Sequence, residues 1–279
     1  MQYAIDIPNF GSWMDASTLA DLAREAEDSG WDGFFIWDHI DRPEHEPNHD
    51  VTVLLTTIAL ATQRIRFGAM VTPLPRRRPH KVARELVTLD HLSGGRVVLG
   101  VGTGGNVAEF DRLGEAGDAV QRGQMLDEAL EVLAALWSAE PVTYHGQHYT
   151  LVEATFRPAP VQRPRIPIWV AGRWPNNPPF RRAARWDGVA PISIEGGHRR
   201  VLSPDELRDC LAYTLQHRQS NAPFDVIMGG MTDASGAAEI INPYQAAGAT
   251  WWREMLFPTR FSGDVLAGMR ARIAQGPPA

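Results

Sequence analysis

The sequence predicts an α/β protein of the (β/α)8 TIM-barrel class, and three observations lead there. Apolar runs of strand length alternate with amphipathic runs of helix length along the chain. Eight such pairs can be counted, about 35 residues each, and eight is the number that closes a parallel barrel. Several strand runs are apolar without alternation, as in Phe34-Phe35-Ile36-Trp37, which is how strands buried on both faces read. The alternative that the same pattern allows is an open, doubly wound sheet.

Taken in order, Tyr3–Pro8 is an apolar run ended by proline, hence a strand, and Asn9-Phe10-Gly11 is a loop. Asp15-Ala16-Ser17-Thr18 starts a helix whose apolar stripe is Leu19, Leu22, Ala23 and Ala26; Ser29-Gly30 stops it. Strand two is Phe34–Trp37, and Val53–Thr62 is helical. Ile65–Thr72 is strand three, His80–Leu92 a helix, Arg96–Gly102 strand four and Gln121–Ser138 a long amphipathic helix. Strands five to eight are Ile168–Gly172, Gly188–Ile192, Phe224–Met228 and Thr250–Leu256. Helices Pro179–Trp186, Pro204–Arg218, Ala237–Ala247 and Ser262–Ile273 follow them in turn. Pro141–Pro167 breaks the rhythm: Val142-Thr143-Tyr144 and His148-Tyr149-Thr150 flank Gly146 like a hairpin, and a proline-rich stretch follows. It is expected to be an insertion between units four and five of one domain spanning residues 1–279.

Composition narrows the partners. Lys and Arg total 27 against 33 Asp and Glu, a net charge of −6, which argues against nucleic acid or an anionic membrane surface. The single cysteine, Cys210, excludes an internal disulfide framework and a cysteine-rich zinc site, and it suits a reducing compartment. No run approaches the roughly 18 apolar residues of a membrane span, and Met1–Phe10 lacks the basic start of a signal peptide. A cytoplasmic protein is the expectation.

A closed α/β barrel carries its site at the C-terminal ends of the strands. That selects Asp38-His39, Thr72–Arg78, Thr103–Glu109, Gly172-Arg173-Trp174, Pro191-Ile192-Ser193 and Gly229–Thr232. Gly100–Gly105 matches a dinucleotide fingerprint by letter but sits in the fourth unit, without an acidic residue ending the next strand. Its glycines could let a phosphate or a flat ring approach, or form only a tight turn. His39, at a strand end beside the Asp38 carboxylate, which could favour its cationic form, suits a general acid or a cofactor hydrogen-bond donor; a packing histidine is the alternative. Asp38–Asp50 is dense in potential ligands, but two prolines and the absence of helical spacing speak against a metal, and none is expected. His45 and His49 read as solvated loop residues. Arg76-Arg77-Arg78 could screen an anion at the pocket mouth or be a solvated surface. Glu109 and Asp233 could be imagined as a glycosidase pair, with nothing to set their separation.

Several phrases together resemble the bacterial luciferase-like family of flavin- and deazaflavin-dependent oxidoreductases. They are LAREAEDSGWDGFFIWDH ending at His39, RPHKVARELVTLDHLSGGRVVLGVGTGG over Arg78–Gly105, and PAPVQRPRIPIWVAG over Pro158–Gly172. AARWDGV at Ala183–Val189 and AGATWWREML at Ala247–Leu256 extend the likeness in the family's order. The Pro141–Pro167 interruption falls where that family carries an insertion.

The resemblance implies a flavin or deazaflavin held at the strand C-termini. It implies a bulge and a non-prolyl cis peptide near Ala69-Met70-Val71 behind the ring. Thr103-Gly104-Gly105 and Ala171-Gly172-Arg173 would hold the ring edge and phosphate, and Asp38 and His39 match the family's Asp-His, with His39 in the acid–base role. Some deazaflavin-dependent members place Glu directly after the Thr-Gly of strand four; Gly105 stands there in this chain, and the nearest carboxylate is Glu109. That departure puts sugar-phosphate dehydrogenase activity in doubt and inclines the expectation to FMN, with coenzyme F420 as the alternative. The expected activity is monooxygenation with reduced FMN, or hydride transfer with a deazaflavin, on a small organic substrate. A separate flavin reductase is a possible partner and a homodimer is expected. The rival from another class is a non-catalytic flavin-binding accessory protein of the same fold.

Overall fold

A computed structural model describes residues 1–41, 46–195, 198–233 and 236–278. The strands are β1 (Gln2–Ile7), β2 (Gly33–Ile36), β3 (Arg66–Ala69), β4 (Thr72–Pro73), β5 (Leu99–Gly102), β6 (Val142–His145), β7 (Thr150–Ala154), β8 (Ile168–Arg173), β9 (Gly188–Glu195), β10 (His198–Arg200), β11 (Asp225–Gly230) and β12 (Trp251–Met255). The helices are α1 (Ala16–Asp28), α2 (Val51–Ala61), α3 (Pro79–Ser93), α4 (Ala108–Asp111), α5 (Ala119–Leu136), α6 (Asn177–Ala183), α7 (Pro204–Gln216), α8 (Ala237–Ala246) and α9 (Val265–Ala274).

The sheet runs β3-β2-β1-β12-β11-β9-β8-β5-β4, and its pairs are parallel. It closes because β3 and β4 are two halves of one strand position. β3 pairs with β2 (Ile36 opposite Ala69), and β4 pairs with β5 (Thr72 opposite Val101). The expected continuous strand over Ile65–Thr72 is therefore interrupted, at the cis Met70–Val71 peptide. Gly68 lies so close to the next strand that an added Cβ would stand 2.1 Å from the Val98 carbonyl oxygen, so only glycine fits there.

Side chains alternate between two cores. Ala4, Phe35, Trp169, Ile227 and Trp251 point inward and fill the barrel, with Trp169 and Trp251 ring centroids 5.2 Å apart. Ile5, Ile7, Phe34 and Ile36 point outward into the larger core beneath the helices. This double burial is why the strands read as unbroken apolar runs. The helices begin where short acceptors can cap them: Asp15, Asp50, Asp118 and Asp264 each accept a backbone N–H of the first turn. Ser203 and Glu206 form a reciprocal capping box on α7.

Between β5 and β8, β6 and β7 form an antiparallel hairpin. Its second strand starts at Thr150, later than the His148 the pattern suggests. The reason is Glu128 on α5, whose carboxylate accepts the N–H groups of Gln147 (2.9 Å), His148 (2.8 Å) and Tyr149 (3.1 Å), removing them from the ladder.

A buried carboxylate ties α1 to strand three. Glu27 accepts the backbone N–H groups of Gln63 (2.9 Å), Arg64 (2.6 Å) and Ile65 (2.8 Å). Burial works to raise its pKa, but these three donors outweigh it and hold the carboxyl below its ordinary value. The stability it contributes is present above the unfolded carboxyl value and is lost as pH falls through the lower folded one. Glu27→Gln is expected to cost about 1–3 kcal/mol at neutral pH. Urea unfolding of both proteins should show that gap narrowing in acid; a constant gap would contradict the account.

Candidate active site

Two adjoining clefts, of about 410 and 370 Å³, open at the C-terminal ends of the strands, each of a size that small ligands use. Met70, Val71, Gly104, Gly105 and Arg173 line both, so the two form one trough. Thr103, Ala171 and Gly172 line the first cleft only, and Asp38 and His39 the second only. Ala69 lies behind them in the core. The residues that the resemblance assigns to the site, Ala69 apart, thus line one mouth, from four strand ends.

The glycine turn is shaped by Gly104, whose φ of +85° favours glycine, and by Phe110, which an added Cβ would strike at 2.4 Å. The next position is open: a Cβ at Gly105 would meet only the Arg173 guanidinium, at 3.6 Å. The floor is apolar, from Met70, Val71, Ala171, Ala190 and Ile192. Four arginines, Arg122, Arg173, Arg182 and Arg253, line this cleft, with no Asp or Glu among its lining residues. Arg253 donates to Asp6 at 2.5 Å inside the barrel mouth.

In the second cleft, charged groups from three loops lock together. The Nδ1 of His39 is 2.6 Å from Glu109 Oε1, and Arg76 Nη1 donates to the other oxygen of Glu109 at 2.5 Å. Arg76 Nη2 donates to Asp38 Oδ1 at 2.9 Å and to the Asp38 carbonyl at 2.6 Å. Arg77 Nη2 reaches both Asp38 oxygens at 2.8 Å. The Asp38, Arg76 and Glu109 side chains are only 2–3% exposed. Burial would raise the Glu109 pKa, but the hydrogen bond and charge of His39, then those of Arg76, hold it below the usual range. An ionised Glu109 can only accept, so Nδ1 carries the proton and donates. Nε2 is then the ring nitrogen without a protein partner among the described residues. Two carboxylates, Asp38 and Glu109, thus face two guanidinium groups, Arg76 and Arg77, beside the imidazole.

The backbone beneath His39 is also fixed. Its N–H donates to Asn9 Oδ1 at 3.0 Å, and Asn9 Nδ2 donates back to the His39 carbonyl at 2.9 Å. Phe10 and Trp37 pack around the ring at centroid distances of 5.5 and 5.7 Å, and Phe257 extends this aromatic wall, 5.1 Å from Trp37.

Sequence reasoning places Asp38 beside His39 as its charge partner; the structure points the Asp38 carboxylate at Arg76 and Arg77, and Glu109 takes the imidazole. Arg76 and Arg77 turn inward, and of the basic run only Arg78 is exposed. Asp233 is 91% exposed and lies 3.5 Å from Arg260, whereas Glu109 is buried against His39 and Arg76. His49 Nε2 donates to the Met14 carbonyl at 3.0 Å. Arg42, Pro43, Glu44 and His45 lie outside the described residues. Asn9, Arg76, Glu109 and Arg122 are the site residues that the pattern underweights. The one available signal for Glu109 is a carboxylate about one helical turn beyond a glycine turn at a strand end.

The chain matches the model of the family described as luciferase-like monooxygenase over residues 4–188. It is 36% identical over 160 residues to an F420-dependent glucose-6-phosphate dehydrogenase of Microbacterium testaceum, covering 56% of this chain and 47% of that protein. The chain therefore spans about half the length of this relative. An uncharacterized protein of Mycobacterium tuberculosis is 30% identical over 226 residues, 74% of each chain. Among solved structures, an F420-dependent secondary alcohol dehydrogenase in complex with an F420–acetone adduct superposes with a TM-score of 0.79, at 17% identity and 98% coverage of both chains. The monooxygenase RslO1 from Streptomyces bottropensis gives 0.76, also at 17% identity, covering 98% of this chain and 96% of its own. These likenesses show the fold; the family match runs from β1 to the start of β9, and by it the chain belongs to the luciferase-like monooxygenase family.

Proposed function

We propose that this protein is an oxidoreductase that holds a phosphorylated tricyclic cofactor in the arginine-lined cleft and a small alcohol or carbonyl compound against His39. The observation that carries the reading is the imidazole anchored by Glu109 at 2.6 Å, at the edge of an apolar-floored cleft. The residues present fit such a group: a flat apolar floor, an open glycine turn at Gly105, and two arginines, Arg122 and Arg173, with no carboxylate paired to them among the described residues, for an anionic side chain. Met70, Val71, Gly104, Gly105 and Ala171 would hold the ring and Gly172 and Arg173 its side chain. When bound, the cofactor supplies the hydride acceptor or donor.

The protein's own part is proton handling and enclosure. His39 Nε2 accepts the proton of a substrate hydroxyl in the oxidative direction and returns it in the reductive one. Glu109 holds the Nδ1–H tautomer and offsets the positive charge that develops on the ring. Arg76 keeps Glu109 ionised, and Asp38 acts through Arg76 and Arg77 as a positioning residue. Phe10, Trp37 and Phe257 exclude water from this end.

Coenzyme F420 is the cofactor we favour. The inclination to FMN rests on Gly105 standing where some deazaflavin-dependent members carry Glu; here Glu109 reaches the cleft from α4 instead, and relatives of this chain are F420-dependent dehydrogenases. The second reading is monooxygenation with reduced FMN, which the water-excluding aromatic wall supports. Titrating the protein with F420 and with FMN, then offering small alcohols to the bound complex, tests both. Tight F420 binding and alcohol-dependent bleaching of its absorbance are expected. Oxygen uptake with reduced FMN alone would select the second reading. Binding without any turnover would make the protein an accessory binder, and failure of both cofactors to bind would overturn the proposal.

A further inference from the structure

The filling of the barrel turns ionic at its last level. Along β1, β11 and β12 the inward positions run from Ala4 to Asp6, from Ile227 to Gly229 and from Trp251 to Arg253, since alternate residues of a strand share a face. These columns are neighbours: Ala4 and Gly229 both stand opposite Arg253 in the parallel register. Below this level the filling is apolar. At it, Arg253 Nη1 donates to Asp6 Oδ2 at 2.5 Å, and the two side chains are 7% and 0% exposed. Apolar side chains of similar volume often serve a fold as well as a buried ion pair does, so packing alone does not call for one here.

The guanidinium is only partly used. Nε is buried without a hydrogen-bond partner, and Nη1 is the one nitrogen with an acceptor among the described residues. Gly229 leaves the group its room, because an added Cβ would stand 3.4 Å from Nη2. Arg253 lines the first cleft beside Met70, Val71, Ala171, Ala190 and Ile192, as the charged member of an otherwise apolar floor. Asp6 already balances its charge, so a further full anion would bury a net negative charge at this point. The pair suits a neutral acceptor that gains negative charge during reaction.

We propose that Arg253, held by Asp6, is the donor beneath the cofactor's ring and sets how strongly the site favours the reduced ring over the oxidised one. This rests on the function proposed above. When an alcohol is oxidised there, its carbon gives a hydride to the ring and its hydroxyl gives a proton to His39 Nε2. That leaves one negative charge on the ring and one positive charge on the imidazole. Glu109 offsets the second, and Arg253 offsets the first from inside the barrel, where solvent screens little. Asp6 fixes the guanidinium and moderates its charge.

The midpoint potential of the bound cofactor, taken with whichever of FMN or F420 binds, tests this. Arg253→Met should weaken the reduced form about tenfold relative to the oxidised form, a fall of about 30 mV for a two-electron couple. Asp6→Asn/Arg253→Met, which removes both charges and strands neither, should show the same fall. Arg253→Lys should recover part of it. Asp6→Asn alone should move the potential the other way, since the cation then stands without its counter-charge. A purely structural pair would lower the melting temperature in both single variants and leave the potential where it was, and that result overturns the assignment. A shift of the same sign in Asp6→Asn and Arg253→Met overturns it too, as does a raised KM for the alcohol with an unchanged potential. Where a single variant does not fold, the potential of the double variant decides. A wild type that binds neither cofactor overturns the proposed function and this inference with it, whereas one that binds with a potential indifferent to Arg253 overturns this inference alone.

Discussion

Replacing His39 with alanine is expected to lower the single-turnover rate by about 10²–10⁴-fold, the contribution of a positioned acid–base group. Cofactor affinity should change much less, because His39 lines only the second cleft. The melting temperature should shift little, since the backbone of this loop is held by Asn9 through two hydrogen bonds that the substitution leaves in place. Glu109→Gln should give a smaller loss, because an amide oxygen can still accept from Nδ1 but no longer offsets charge on the ring. The acid limb of the pH–rate profile separates the two roles. Glu109 is held ionised below the ordinary carboxyl range, so its support of His39 persists into mild acid and is lost only as pH falls through that lowered value. The competing account makes His39 a packing residue between Phe10 and Trp37. An unchanged single-turnover rate with a lowered melting temperature would establish that account instead.

The largest expected effect on stability is at Arg76. Its side chain is 2% exposed and joins two carboxylates that are themselves 2% and 3% exposed. Arg76→Met removes one cation, leaves Glu109 buried with His39 as its remaining partner and Asp38 with Arg77, and breaking a buried pair in this way costs about 3–5 kcal/mol. Arg77 softens the loss at Asp38, since it donates to both oxygens. Burial works against the Arg77 cation, but the charge and hydrogen bond of Asp38 outweigh it and raise its pKa. Arg76→Lys should fall between, because a single ammonium cannot aim separate donors at Glu109 and at Asp38 as the guanidinium does. Adding Glu109→Gln to Arg76→Met should restore part of the lost stability, since the stranded charge is then gone. Urea midpoints of the variants measure this. An Arg76→Met midpoint equal to that of the wild type would show that water, not Arg76, satisfies these carboxylates.

Much of the barrel is legible along the chain because its signals are local. Phe34–Trp37 reads as a strand since both faces of β2 are buried, and Asp15 announces a helix because a capping oxygen needs an N–H only three residues ahead. Asp38, His39, Gly104 and Gly172 follow from one rule, that barrel sites gather at strand C-termini. Helix α4 escapes pattern reading because it is a single turn of four residues with no period to detect, yet it carries Glu109. The hairpin strand β7 starts late because Glu128, on a different element, claims three N–H groups.

By itself, the sequence determined the order of strands and helices, the closure number and the loops that meet at the mouth, since each depends on contacts within a few residues. Which partner each charged side chain takes was decided by the tertiary structure alone. Arg76 reads as one of a basic run that screens an anion at the pocket mouth or lies solvated on the surface, and Asp38 as the partner of the histidine beside it. Folding brings Arg76 to Asp38 and Glu109 across 38 and 33 residues, and His39 to Glu109 across 70. No local period encodes those separations: barrel closure sets how near the loops come, and the exclusion of water then makes pairing of these buried charges favourable.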